Sequence, residues 1–213
     1  MAVQERAVRT RRAVLEAAAA VFAERGYAAA TINEILTRSG VTKGALYFHF
    51  ASKEELAKGV LDAQVLQTGL PSQASTLQEW VDVGMALAHR LPREPLLQAG
   101  ARLSGDPEVH HLLGPRAWTA WADLSAQMLS RAQQRGEALP HVVPVETAQL
   151  MVAAWSGVQS MSLLSSGWGD LEIRVAALFD HMLPYIATPG LLGKLDTAPD
   201  RGARLLAQTA VAG

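Results

Sequence analysis

Between Thr31 and Phe50 the chain reads TINEILTRSGVTKGALYFHF, two short helical runs joined through a turn at Gly40. In helical register Ile32, Ile35, Val41, Leu46 and Phe50 fall on an inner face, and Thr42, Lys43, Gly44, Tyr47 and His49 fall on the outer one. Thr42 and Lys43 stand at a helix N-terminus, the end that meets base edges in a recognition helix, and Gly44 lets a backbone come close to another surface. Tyr47 carries a donor for a phosphate oxygen. Ser52 and Lys53 open the following helix, whose unpaired amide groups attract phosphate. Contact with duplex nucleic acid is the chemistry these types and spacings serve, in the proportions of a helix-turn-helix.

Other chemistry finds less support. Asp106 with His110 and His111 has a metal-like spacing, but GDPEVHHLLGP is flanked by Gly and Pro and reads as a loop, as does His141 beside Pro140. There is no cysteine, which removes thiol catalysis, disulfides and thiolate zinc sites and fits a reducing compartment. Neither a Gly-rich phosphate loop nor HExxH or GxSxG occurs. No catalytic residue, metal ligand or cofactor is expected, and the chain is not read as an enzyme.

The elements that must position the outer set are helical. Of the 213 residues 49% are hydrophobic and 18% charged, a globular balance, and no run alternates in the manner of strands. The fold class is all-α. Residues 1–60 hold nine Lys/Arg against six acids, a net of +3; with −1 for the whole chain, the remainder carries −4. A basic head on an acidic body follows.

A first helix is expected from Val8 to Arg25, ended by Gly26. Thr31 with Glu34 opens a second, Thr42 a third, and Ser52 with Glu55 a fourth that runs from Lys53 to about Gln67. Thr68–Ser75 reads as a connection, Thr76 with Glu79 as the start of a helix carrying Trp80 in the core, and Arg116–Arg135 as a long helix. The expected domains are residues 1–52, binding DNA, and 53–213, binding ligand and dimerising.

From Thr147 to Gly169 no residue is charged, but Gln149, Ser156, Gln159 and several further serines interrupt the run, so a membrane span is not expected. A helix apolar nearly all round is buried on several sides. With the next helix, opened by Asp170, it suggests a two-helix dimer interface through Gly157, Met161, Leu164, Val175, Phe179 and Met182; a large monomeric core is the alternative.

The run TINEILTRSGVTKGALYFHFASKEEL, preceded by AVFAERGY, resembles the N-terminal domain of the tetracycline-repressor (TetR) family of bacterial regulators. RRAVLEAAAAVF, QAGARLS, GEALPHVV and LDTAPDRGARLL extend the likeness to the γ-butyrolactone autoregulator receptors, which control antibiotic production. The resemblance implies a cytoplasmic homodimeric repressor that holds an inverted-repeat operator in double-stranded DNA and is released by a small lactone or butenolide. A regulator answering to another small molecule, or to none, is the alternative, and a helical enzyme acting on a lactone a further one.

In those receptors a tryptophan on the long helix after a Gly-Pro pair lines the ligand cavity; Trp121 is in register with it, and Trp118 lies one turn earlier. A lactone offers acceptor oxygens and an alkyl arm, so its site pairs apolar walls with a few donors. Gln64, Ser125, Ser156 and Gln159 are the candidate donors.

Overall fold

The computed structural model describes residues 2–65 and 70–212. Among them lie twelve helices: α1 (Ala2–Ala29), α2 (Ile32–Ser39), α3 (Lys43–His49), α4 (Lys53–Val65), α5 (Thr76–Arg90) and α6 (Pro95–Ser104), then α7 (Pro107–Leu113), α8 (Arg116–Gln134), α9 (Pro144–Ser166), α10 (Leu171–Ile186), α11 (Pro189–Leu192) and α12 (Arg201–Ala212). There is no strand among the described residues, only an isolated antiparallel bridge between Ala138 and Ala187. The all-α expectation holds.

Packing divides the chain into two units, Met1–Gln67 with Glu94–Trp118, and Thr68–Arg93 with Thr119–Gly213. The first is built on one apolar core. Val14, Ala18 and Phe22 of α1 meet Ile35, Leu46 and Phe50 around the helix-turn-helix, and Leu56 and Val60 of α4 join them with Leu103 of α6 and Val109 of α7. Helix α4, which sequence order assigns to the second domain, therefore has its buried face in the first unit.

Local signals set the ends of the short helices. Glu34 N–H donates to Thr31 Oγ1 at 3.2 Å while Thr31 N–H donates to the Glu34 carboxylate at 3.0 Å, a complete capping box. Gly40 ends α2 at φ +66°, where a side chain would be strained. Gly26, at φ +77°, breaks α1 after Arg25 as expected, although the helix begins earlier than Val8.

Two elements depart from expectation. Asp106–Gly114 is not a loop: the Asp106 carboxylate accepts from Glu108 and Val109 N–H, Pro107 needs no partner in the first turn, and α7 follows. In the second unit the cap of α5 is Ser75, whose Oγ accepts from Gln78 N–H at 3.2 Å, and Thr76 is buried inside the first turn. Glu79 instead receives Ser72 Oγ and Gln73 N–H, both at 3.1 Å. Leu66 and Gln67, the tail of the expected fourth helix, and Thr68 and Gly69 of the expected connection lie outside the described residues. No helix among the described residues is long and apolar enough to cross a membrane.

Candidate functional site

The outward face of α3 is the first site. Thr42, Lys43 and Gly44 are exposed and Tyr47 is partly exposed, while Leu46 and Phe50 anchor the opposite side. Thr42 Oγ1 accepts from Ala45 N–H at 3.3 Å, which leaves its own hydroxyl proton to donate elsewhere. The Lys43 ammonium stands 6.0 Å from the centre of the Tyr47 ring, so cation and phenol share one face. A Cβ built on Gly44 would meet nothing within 4 Å. The protein's own packing does not demand glycine there, and glycine costs a helix about 1 kcal/mol relative to alanine.

His49 is half-buried with its ring edge-on to Phe48, 5.0 Å between centres. Ser52 is exposed and its Oγ accepts from Glu55 N–H at 3.2 Å. Lys53, expected among the DNA contacts, is half-buried and engaged within the chain. Its ammonium donates to the carbonyls of Tyr27 and Ala30 at 3.0 and 3.3 Å and lies 4.4 Å over the Tyr27 ring. The last carbonyls of a helix have no partner within it, and the lysine closes them. Arg102 of α6 does the same for Ala23 and Glu24, at 3.0 and 3.2 Å, so two cations staple the end of α1. Arg6, Arg9 and Arg11 remain exposed on the N-terminal turns of α1, with Arg11 5.1 Å over the Phe50 ring. Glu34 titrates below its ordinary range because Thr31 hydrogen-bonds its carboxylate and Arg25 and Arg38 stand near.

Phe48 was not assigned to either face from the sequence, yet it is 81% exposed. Helical geometry was the available signal. With Leu46 and Phe50 one turn apart on the inner face, residue 48 sits about 200° from Leu46 and must point out.

The expected ligand residues fall in both units. In the first, Gln64 is buried with its Nε2 unpartnered among the described residues, its Oε1 only 2.0 Å from where a Cβ on Gly100 would stand. Trp118 borders a recess with Leu61, Leu103, Val109 and His110 that holds only about 10 Å³, room for roughly one water. His110 lies 6.1 Å from the Trp118 ring and Asp106 is engaged as the cap of α7.

In the second unit Trp121 is half-buried on α8, and Ser125 one turn later is buried. Ser125 Oγ accepts the indole N–H of Trp80 at 2.6 Å, which leaves its own hydroxyl proton to donate. Trp80 itself is core, as expected, and packs edge-on against Phe179 at 5.3 Å. Ser156 and Gln159 are half-buried on α9, and their backbone carbonyls accept from Ser160 Oγ and the Trp168 indole. Trp155 was missed. Its indole N–H is buried without a partner among the described residues, 3.8 Å from where a Cβ on Gly84 would lie. A buried donor left unpaired costs about 1 to 3 kcal/mol.

The expected dimer face needs correction at two residues. Val175 and Phe179 are 0% and 1% exposed within the single chain, where Phe179 fills the space left by Gly84 and meets Trp80. Their side chains are taken up by the single chain's own core. Gly157 is exposed, Met161 and Leu164 are 62% and 87% exposed, and Met182 is half-buried; Leu150 and Ile173 add exposed apolar area on α9 and α10.

Residues 14–60 match the family model described as bacterial regulatory proteins, tetR family. The A-factor receptor protein of Streptomyces griseus is 44% identical over 195 residues, covering 92% of this chain and 70% of that one. A full-length native TylP structure, a TetR regulator from Streptomyces fradiae, superposes with a TM-score of 0.90 at 38% identity, over 95% of this chain and 98% of that one. A γ-butyrolactone receptor structure, an ArpA-like protein, superposes with a TM-score of 0.66 at 25% identity, over 95% and 99% of the two chains.

Proposed function

Because this chain belongs to the tetR family of bacterial regulatory proteins, we propose that it is a repressor holding its operator through α3 and releasing it when a γ-butyrolactone-type signal binds the second unit. The observation that carries this is the coexistence of an outward recognition face in the first unit with whole-chain likeness to an A-factor receptor. Thr42, Lys43 and Gly44 address base edges, Tyr47 and Ser52 donate to phosphate, and His49 supports the same face. Lys53 acts by holding the end of α1 in place.

The ligand site is proposed around Trp121, Ser156 and Gln159, with the unpaired Trp155 N–H as a further donor to a carbonyl or ring oxygen. Aromatic walls suit an alkyl arm, and neutral donors suit a neutral ester. The ligand releases DNA only by favouring the conformation of lower operator affinity; moving a population from 1:99 to 99:1 takes about 5.5 kcal/mol of differential affinity. Catalysis is no part of this proposal, and a cytoplasmic location is.

A homodimer formed through the exposed apolar residues of α9 and α10 places two copies of α3 about 34 Å apart, in successive major grooves, and demands an inverted-repeat operator. A hydroxyl-radical footprint on the operator tests this. Two-fold symmetric protection that fades on adding extract of a lactone-producing culture is the expected result; asymmetric protection, or protection indifferent to every signal, contradicts it.

A further inference from the structure

We infer that Phe48 is a specificity-determining residue that reads the 5-methyl group of a thymine in the operator, an inference that rests on the DNA-binding reading of α3. Burying a phenylalanine side chain stabilises a fold, and this chain forgoes that gain at one position of a seven-residue helix. The ring is 81% exposed, with the His49 edge 5.0 Å away.

Its surroundings select the partner. Gly44, one turn earlier on the same side of α3, leaves open space, and Lys43 and Tyr47 flank it with polar groups. A phenyl ring has no donor for a phosphate and none for a base heteroatom. On the major-groove edges of the four bases the thymine methyl is the one apolar group, and side chains such as phenylalanine contact it. Contact with deoxyribose would also cover the ring but would carry no sequence information.

Removing that methyl separates the possibilities. A duplex is selected from a random library with the wild-type chain, and each thymine is replaced in turn by uracil. At one position per half-site, uracil should weaken wild-type binding about threefold to tenfold. Phe48→Ala should bind the thymine duplex as weakly as wild type binds the uracil one, and should no longer distinguish the two bases. Phe48→Leu, which keeps an apolar group, should retain part of the discrimination. Affinity for random DNA should be equal in all three, and the exposed position lets thermal unfolding report an intact fold. If Phe48→Ala discriminates as wild type does, or no uracil matters to wild type, the inference is overturned with the repressor reading intact. Failure of the wild type to enrich any duplex would bring down both.

Discussion

Both units bury aromatic side chains, Phe22, Tyr27 and Phe50 in the first and Trp80 and Phe179 in the second, but they differ in what they leave over. In the first, Tyr47 and Phe48 stand outward on a helix of seven residues, while in the second Trp80 and Phe179 are sealed in the core and Trp155 hides an unpaired N–H. A short capped helix has one narrow face to bury, so every other residue on it is left to solvent or to a partner. The longer helices of the second unit bury Trp80 and Phe179 in its core, while Trp121 on α8 is half-buried and Tyr185 on α10 is exposed.

The largest contrast is in stability. Phe179→Ala should cost about 3 to 5 kcal/mol through lost packing around Trp80 and Gly84, whereas Phe48→Ala should change stability by less than about 0.5 kcal/mol. Urea unfolding of the two variants measures both. Equal losses would erase the distinction between the units.

Operator binding sharpens it next. Lys43→Ala should lose about 1 to 3 kcal/mol on the selected operator if the lysine reads a base edge, and little on random DNA. Gly44→Ala should move two readouts in opposite directions: helix propensity raises stability by up to about 1 kcal/mol, while the added methyl lowers operator affinity. An alanine variant that binds DNA normally would leave this glycine without the assigned use.

The tryptophans give a smaller effect. Trp80→Phe removes a donor to buried Ser125 and should cost about 1 kcal/mol of stability, but in Trp155→Phe the relief of an unpaired donor offsets the lost ring packing, and the net change should be close to neutral. Thermal melts decide between them, and a large loss at Trp155 would mean that its N–H has a partner.

The smallest effect is electrostatic. Hydrogen bonds from Ser162 and Ser166, aided by Arg174, hold the Asp170 carboxyl at about 2, below its usual 3.8. Because the folded-state value is the lower one, the contribution is present above pH 3.8 and disappears as pH falls toward about 2. Asp170→Asn should flatten the pH dependence of stability across that window, as acid titrations of the melting temperature would show.

Legibility in the sequence follows the same divide. Thr31, Gly40 and Thr42 act through bonds to residues within four positions, so their roles were readable as spacing. The Asp106-Pro107 start of α7 was equally local and was outweighed by its flanking glycines. The bonds of Lys53 to Tyr27 and Ala30 are not legible as spacing, because those partners lie more than twenty residues away. Val175 and Phe179 have the apolar spacing of an interface, and periodicity cannot tell a partner chain from α5 of the same chain. Nor does it reveal that Trp80 takes Ser125 and leaves Trp155 unpaired.

The central claim is that one signal, received in the second unit, releases DNA held by the first. Fluorescence anisotropy of a labelled operator, titrated with an alkyl-γ-butyrolactone, measures it in wild type, Trp121→Phe and Trp80→Phe. Release is expected in wild type and in Trp80→Phe, with a much higher lactone concentration needed for Trp121→Phe although its operator affinity without lactone is normal. Operator affinity that stays constant in the wild type under saturating lactone would contradict the account for this class of signal.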